Sequence, residues 1–476
     1  MLICLIMTLR QILFAVLSVL SGYTAVAQKH DAFSFFGYVF DASDPKLGRY
    51  TIDFRTSPPK IVKQNKKINF SSYCGSCSDS IGKLQFYTNG ISIQNKLHQL
   101  LQNGDSINAI SGTWKTYKEL GYPLGKGCMA LPLPGQKNQY ILLHQAYRLV
   151  PLPSGEYIEH LPLLSTKIDM QQNSGNGKVI EKNKWLLDEQ LIPFAITKHG
   201  NGRDWWLITA KQTTTQHYIF QITSEGASLA AIQEYGPAFS DRESQSFSNI
   251  SPDGRIYVRH DGKNGLRVYD FDRCSGQLSN LRIFPYQNGF TTVEVAFSPD
   301  SRFLFLSSYA AMMVMDMQAS DPPLTLDTIA YYDGFATPLP FQTTFWTGQL
   351  HEDGKIYYAT TNSTLAFHVI HHPELTGLVA NVQQHGITLP VYNSGTMCQF
   401  PNYRLGRWAG SPCDTLPFAG PSEENFQHQP YEAQREPDTL TWRILSPLRG
   451  KGQPEHDWPD VQTMMLQKGP GWRRKE

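Results

Sequence analysis

Several groups of residues have types and spacings that could do chemistry. Cys74-Gly75-Ser76-Cys77 has the C-x-x-C spacing of redox and zinc sites. A redox pair needs a helix start after a strand, where the helix dipole lowers the thiol pKa, and this pair instead precedes a strand-like turn. Zinc needs a second pair at matching spacing, and Cys398 with Cys413 is far from that form. Cys74 and Cys77 therefore read as structural disulfide cysteines, internal or to another cysteine, and Cys398 and Cys413 are expected to tie the end of the repeat together. Asp270-Phe271-Asp272 with Gly276 has part of a calcium-loop pattern but no bidentate Glu at the right spacing, which leaves a solvated hairpin turn. His368, His371 and His372 cluster, yet on a strand His371 and His372 point to opposite faces and cannot share an ion. Trp205-Trp206 reads as packing between sheets, with the lining of a sugar- or peptide-binding mouth as the other use. No G-x-S-x-G, Walker loop or dinucleotide fingerprint occurs. No catalytic, cofactor-binding or metal residue is assigned on this reading.

The elements that must carry these residues are short strands between Gly-bearing turns. Ser251 to Asn280 shows the rule: Ser251-Pro252-Asp253-Gly254 is a turn, RIYV a strand, Asp261 to Gly265 a turn, LRVYDF a strand, and Asp272 to Gly276 a third turn before QLSNLRIF. The pattern recurs. Asp253 and Asp300 lie 47 residues apart, Asp300 and Asp353 lie 53 apart, Gly202 and Gly254 lie 52 apart, and Gly82 and Gly135 lie 53 apart. Gly135 to Gly202 is longer, at 67, and calls for an insertion. About 50 residues and four strands per repeat is the signature of propeller blades. Runs such as VEVAFS, RFLFLSS and AAMMVMDM are nearly continuously apolar, as strands covered on both faces must be. The expected fold is all-β, a β-propeller of about seven four-stranded blades over residues 31–416. Residues 417–476 lose the period and read as a linker and poorly structured tail.

Charge sets further bounds. Lys and Arg number 42 against 41 Asp and Glu, so no basic field awaits nucleic acid or anionic lipid. Met1 to Ala27 reads as a secretory signal peptide: Arg10, an apolar run from Ile12 to Leu20, and Ala25-Val26-Ala27 before cleavage between Ala27 and Gln28. No later stretch is apolar enough for a transmembrane helix. Loss of Cys4 with the signal leaves Cys74, Cys77, Cys128, Cys274, Cys398 and Cys413, an even set that favours disulfides in an exported chain and admits fifteen pairings. Cys274 sits in a hairpin loop with no evident partner nearby in sequence.

LQFYTNGISIQN with QNGD, SPDGRIYV with VYDFDRCSGQLSN, VAFSPDSRFLFLSS, and PNYRLGRWAGSPCDTL together resemble an exported WD-like or YVTN-type β-propeller family of the Bacteroidetes, related at superfamily level to lactonase-type propellers. The likeness covers roughly residues 31–416. Many such chains continue into a sorting domain for type IX secretion, whose Gly-rich strand pattern the tail here lacks. Asp79-Ser80-Ile81, Asp105-Ser106-Ile107 and Asp414-Thr415-Leu416 resemble the acceptor motif of a periplasmic O-glycosylation system of the same bacterial group. The function expected is a monomeric, non-catalytic scaffold in the periplasm, at the cell surface or outside the cell, binding a protein or glycan at one mouth of the disc. The alternative is a lactonase-like hydrolase that uses inward-facing acidic or His groups at the central channel, where propellers often hold a divalent ion.

Overall fold

Strands form where the apolar runs stand between turns, and they assemble into seven successive antiparallel sheets arranged as the blades of a β-propeller. The computed structural model describes residues 28–416 apart from 66, 111, 152, 154–156, 240–245, 263, 286–292 and 338–340. Residues 1–27, expected to be a signal peptide, and 417–476, expected to be a linker and tail, lie outside the described residues. Blades 3 to 7 have four strands each, and their inner strands are Cys128–Pro132, Ala195–Lys198, Phe247–Ile250, Glu294–Phe297 and Phe345–Leu350. Blade 2 has three strands, beginning with Gly75–Ser78. The long interval after Gly135 is explained by a hairpin, Arg148–Pro151 paired with Tyr157–His160, inserted between the second and third strands of blade 3.

The continuously apolar runs are buried on both faces, as stacking of blade on blade requires. Every residue of Trp205–Ala210 and of Phe303–Ser307 is buried. Each large apolar side chain so covered contributes about 1.5–3 kcal/mol. Trp205 packs in the core shared by blades 1 to 4, and Trp206 donates its indole N–H to the Arg273 carbonyl of blade 5 at 2.7 Å. Both tryptophans are therefore interior, between blades.

Blade 1 shows how the ring closes. Its strands are Phe33–Tyr38, Gly48–Asp53 and Lys60–Gln64. Phe33–Tyr38 runs antiparallel to the inner strand of blade 2: Ser76 donates to the Phe33 carbonyl, and the Ser78 N–H reaches the His30 carbonyl at 2.9 Å. It is thus the second strand of its blade. The vacant inner position is taken by the last described part of the chain, 396–404. Thr396 bonds the Phe70 carbonyl, Cys398 is disulfide-bonded to Cys74, Phe400 exchanges bonds with Gln349 of blade 7, and the Tyr403 hydroxyl reaches the Ala130 carbonyl of blade 3.

The disulfides differ from the expected pairing. Cys398 joins Cys74 (Cα–Cα 4.7 Å) and Cys413 joins Cys274 (Cα–Cα 5.4 Å), so Cys398 and Cys413 do not bond each other and Cys274 does have a partner. Cys77 is not in a disulfide; it and Cys128 are free and buried. The reason is topological, because ring closure brings residue 398 against residue 74 of blade 2 and residue 413 against residue 274 of blade 5. In the chain-entropy model each link, taken alone, restricts the unfolded chain by about 5 kcal/mol. Burial pushes the Cys77 thiol well up and the Cys128 thiol to about 12, so neither offers a thiolate at neutral pH. A maleimide should label neither Cys77 nor Cys128 in the native protein and both after denaturation without reductant. Labelling of either thiol under native conditions would contradict this burial.

Candidate functional site

Inner strands of a propeller run side by side around the axis, so a residue at the start of one can meet a residue from the far side of the ring. Lys126, in the turn before the blade 3 inner strand, and Glu294, first residue of the blade 6 inner strand, do so at 2.5 Å. Thr347 of blade 7 donates to the other Glu294 oxygen at 2.8 Å, and the Val295 N–H reaches the first at 2.9 Å. Phe247 of blade 5 lies under the ammonium, 4.0 Å from ring centroid to Nζ. Four blades thus place one group each at the strand-start end of the channel.

Local structure aims these groups. Lys126 stands between Gly125 and Gly127 with φ +55°, a left-handed conformation that costs a non-glycine residue about 1 kcal/mol. Gly127 is tight against Tyr73, whose hydroxyl holds the Gly127 carbonyl at 2.9 Å. In blade 7 the ladder slips between Phe345 and Gly348, and this bulge turns Thr347 toward Glu294. The Glu294 side chain is 1% exposed and that of Lys126 11%. Burial raises the Glu294 pKa above its ordinary 4.5, with Lys126 opposing the rise. Burial likewise lowers Lys126 below 10.5, with Glu294 opposing the fall. A carboxylate made more basic beside an ammonium made more acidic is the pairing that general acid–base chemistry needs.

The strand-end mouth is built differently. Arg404 forms a two-pronged pair with Asp31, at 2.8 and 2.6 Å, and lies 3.8 Å from Glu352, which Lys29 also approaches. His351 is buried and stacked on Phe54, with neither ring nitrogen hydrogen-bonded, and burial lowers its pKa to about 3. Lys198 lies over Trp205, its pKa lowered to about 7 by burial and then by Arg273. Arg404 also bonds the Gln28 carbonyl here, and the Cys274–Cys413 link ties the chain beyond Arg404 to blade 5. Elsewhere, a cleft of about 380 Å³ beside blade 2 is lined by Trp114, Lys118, Asn69 and Asn89 among others. Its two asparagine amides are taken up by backbone groups, and Asp105 is paired with Lys182.

The sequence-selected residues lie away from the axial pair. Asp272 accepts the N–H groups of Cys274 and Ser275, and Asp270 pairs with Arg282, as in a hairpin turn. His368 is buried against Thr343, His371 bonds Gln383, and His372 faces Glu374. Among the described residues no three His, Cys, Asp or Glu side chains are placed to hold a metal ion. Among the described residues the strand-start mouth offers one carboxylate, Glu294, and its pairing with the Lys126 ammonium does not fit the divalent ion expected with the hydrolase alternative. Lys126, Glu294 and Thr347 were not picked out by sequence reasoning. A signal existed: Phe247, Glu294 and Thr347 each stand six residues before the turn aspartates Asp253, Asp300 and Asp353.

No protein-family model matches the chain. A curated 6-phosphogluconolactonase from Serratia proteamaculans is 29% identical over 107 residues, 22% of this chain and 28% of that enzyme, so the match spans little more than a quarter of the relative's length. Among solved structures, a candidate 6-phosphogluconolactonase from Bacteroides uniformis is 12% identical, covering 76% of this chain and 97% of that one with a TM-score of 0.45. A periplasmic gluconolactonase from Pseudomonas aeruginosa is 12% identical, covering 74% and 81%, with a TM-score of 0.34. At these identities and TM-scores neither solved structure decides what this chain does. The non-catalytic scaffold expected from the sequence is corrected here: the curated relative carries a lactonase name, the chemistry that had stood as the alternative.

The closed mouth yields a stability prediction. Burial alone raises the Asp31 pKa, but the charge and hydrogen bonds of Arg404 outweigh it and hold it below the ordinary 3.8. The pair's contribution is therefore present above pH 3.8 and lost as pH falls through the depressed value. Arg404→Met strands a buried carboxylate and should lower unfolding free energy by about 3–5 kcal/mol at pH 7 in urea titrations. Adding Asp31→Asn should recover part of that loss.

Proposed function

We propose that the chain is a lactone hydrolase whose site is the strand-start mouth of the propeller channel. The observation that carries this reading is the convergence of Lys126, Glu294 and Thr347 from blades 3, 6 and 7 on one buried point. The named activity of the curated relative supports it. Glu294 takes a proton from a water as the water oxygen bonds to the lactone carbonyl carbon. The Lys126 ammonium faces the carbonyl oxygen as it becomes an oxyanion, and Thr347 keeps the carboxylate oriented. The carbon–oxygen bond of the ring then breaks, giving the hydroxy acid. The signal-like Met1 to Ala27 segment, together with two disulfides, supports a site of action outside the reducing cytosol.

Glu294→Gln should lower kcat/KM on a sugar δ-lactone by about 10²–10⁴-fold with an unchanged circular-dichroism spectrum. Activity needs Glu294 ionised and Lys126 protonated, so in the wild type it should rise with pH along a limb centred above 4.5 and fall along one centred below 10.5. Lys126→Met removes the charge that holds Glu294 down and should move the acid limb to higher pH. Unaltered activity in Glu294→Gln would end this reading.

A further inference from the structure

Tyr358 stands in the second strand of blade 7, Ile356–Thr360, opposite Gly348 of the inner strand. Its side chain is fully buried, and its hydroxyl has no hydrogen-bond partner. An unsatisfied buried hydroxyl is destabilising, a loss that a ligand bond would recover. The direction of the ring is set by Gly348: a Cβ there would come within 2.6 Å of ring atoms Cε1 and Cζ. The ring therefore lies against the inner strand at Gly348, within the core that blades 6 and 7 share. The residue before Gly348 is Thr347, whose hydroxyl already holds Glu294. Burial, and then the charge of Glu294, push the phenol well above its ordinary pKa, consistent with a hydroxyl on the carboxylate's side of the strand. At the same point of the repeat, five residues after the turn aspartate, blades 5 and 6 carry Val258 and Phe305, which offer no donor.

We propose, resting on the lactonase reading of this site, that Tyr358 is its proton donor to the leaving group: the phenol O–H bonds to the ring oxygen of the bound lactone. Glu294 takes one proton from water as the water oxygen joins the carbonyl carbon. The bond from that carbon to the ring oxygen breaks with its electron pair on the oxygen, and the Tyr358 proton passes to it. The proton on Glu294 then returns to the phenolate, and the carboxylic acid product loses its own proton to solvent. The substrates that need this donor are those whose leaving oxygen is an alkoxide, as in sugar and aliphatic lactones. An aryl lactone, which releases a stable phenoxide, does not need it.

The test compares the wild type, Tyr358→Phe and Glu294→Gln on a sugar δ-lactone and on dihydrocoumarin, with thermal melts of all three. Tyr358→Phe keeps the ring over Gly348 and removes only the orphan hydroxyl, so it should melt at the same or a higher temperature. Its kcat on the sugar lactone should fall by about 10²-fold while turnover of the aryl lactone changes by less than about 3-fold. Equal losses on both substrates, no loss on the sugar lactone, an effect on KM alone, or a lowered melting temperature would overturn the role of Tyr358 while leaving Glu294 in place. A wild type inactive on both lactones, or a Glu294→Gln variant as active as the wild type, would instead remove the lactonase reading and the donor with it.

Discussion

Everything in this molecule depends on closing the ring. Seven sheets stacked around an axis bury both faces of every blade only if the last meets the first, and an open seam would expose two apolar sheet faces. The chain solves this by arriving late. Residues 396–404 enter the inner position that the first blade lacks, and Arg404 meets Asp31 near the start of the described chain. A seam held only by packing can open at the cost of one interface. Here the Cys74–Cys398 and Cys274–Cys413 links, spanning 324 and 139 residues, make the closure covalent at both ends of the returning segment.

Closure divides the channel unequally. The strand-end mouth holds both described chain ends, the Asp31–Arg404 pair and a bonded hairpin, and so serves the fold. The proposed chemistry lies at the strand-start mouth, and the polar groups there are hard to explain by stability. A buried ion pair contributes little net stability, because desolvation of the two ions offsets their attraction, and apolar residues of the same volume would serve a fold equally well. Around the pair are a left-handed lysine, a bulge that turns a threonine inward, and a glycine that admits a tyrosine ring. Each gives up regular backbone or packing close to the Lys126–Glu294 pair. Such departures from local regularity gather at functional sites because nothing else compensates for them.

The fold was legible because its punctuation is local. Ser251 to Gly254 and Ser298 to Ser301 each close within four residues, with a serine hydroxyl bonded to the turn aspartate two positions on. Such turns repeat in sequence as they do in space, so the period and the approximate blade count follow from them. Cysteine pairing was not legible, because it joins residues that only the closed ring brings together, and Cys77 lies three residues from Cys74 yet faces a different core. Glu294 was hidden for another reason. It sits inside VEVAFS, which reads as a core strand, and its charge is tolerable only because Lys126, 168 residues earlier, reaches it across the axis.

A site on a propeller axis cannot appear as a sequence motif in the ordinary sense, since each blade can present only a few side chains to the centre. Its members must be spaced by the repeat. Phe247, Glu294 and Thr347 stand 47 and 53 residues apart, the same intervals that separate Asp253, Asp300 and Asp353. The turn aspartates follow the far end of each inner strand, and six residues back lies at or near its start, the end where Lys126 meets Glu294. The repeat that defined the fold therefore also carried the address of the site. What it lacked was a reason to examine that phase, because the three residues there are an aromatic, an acid and a hydroxyl with nothing in common but position. In a ring of repeats, chemistry is read by comparing blades at a fixed phase and asking where one of them places a polar group that the core would refuse.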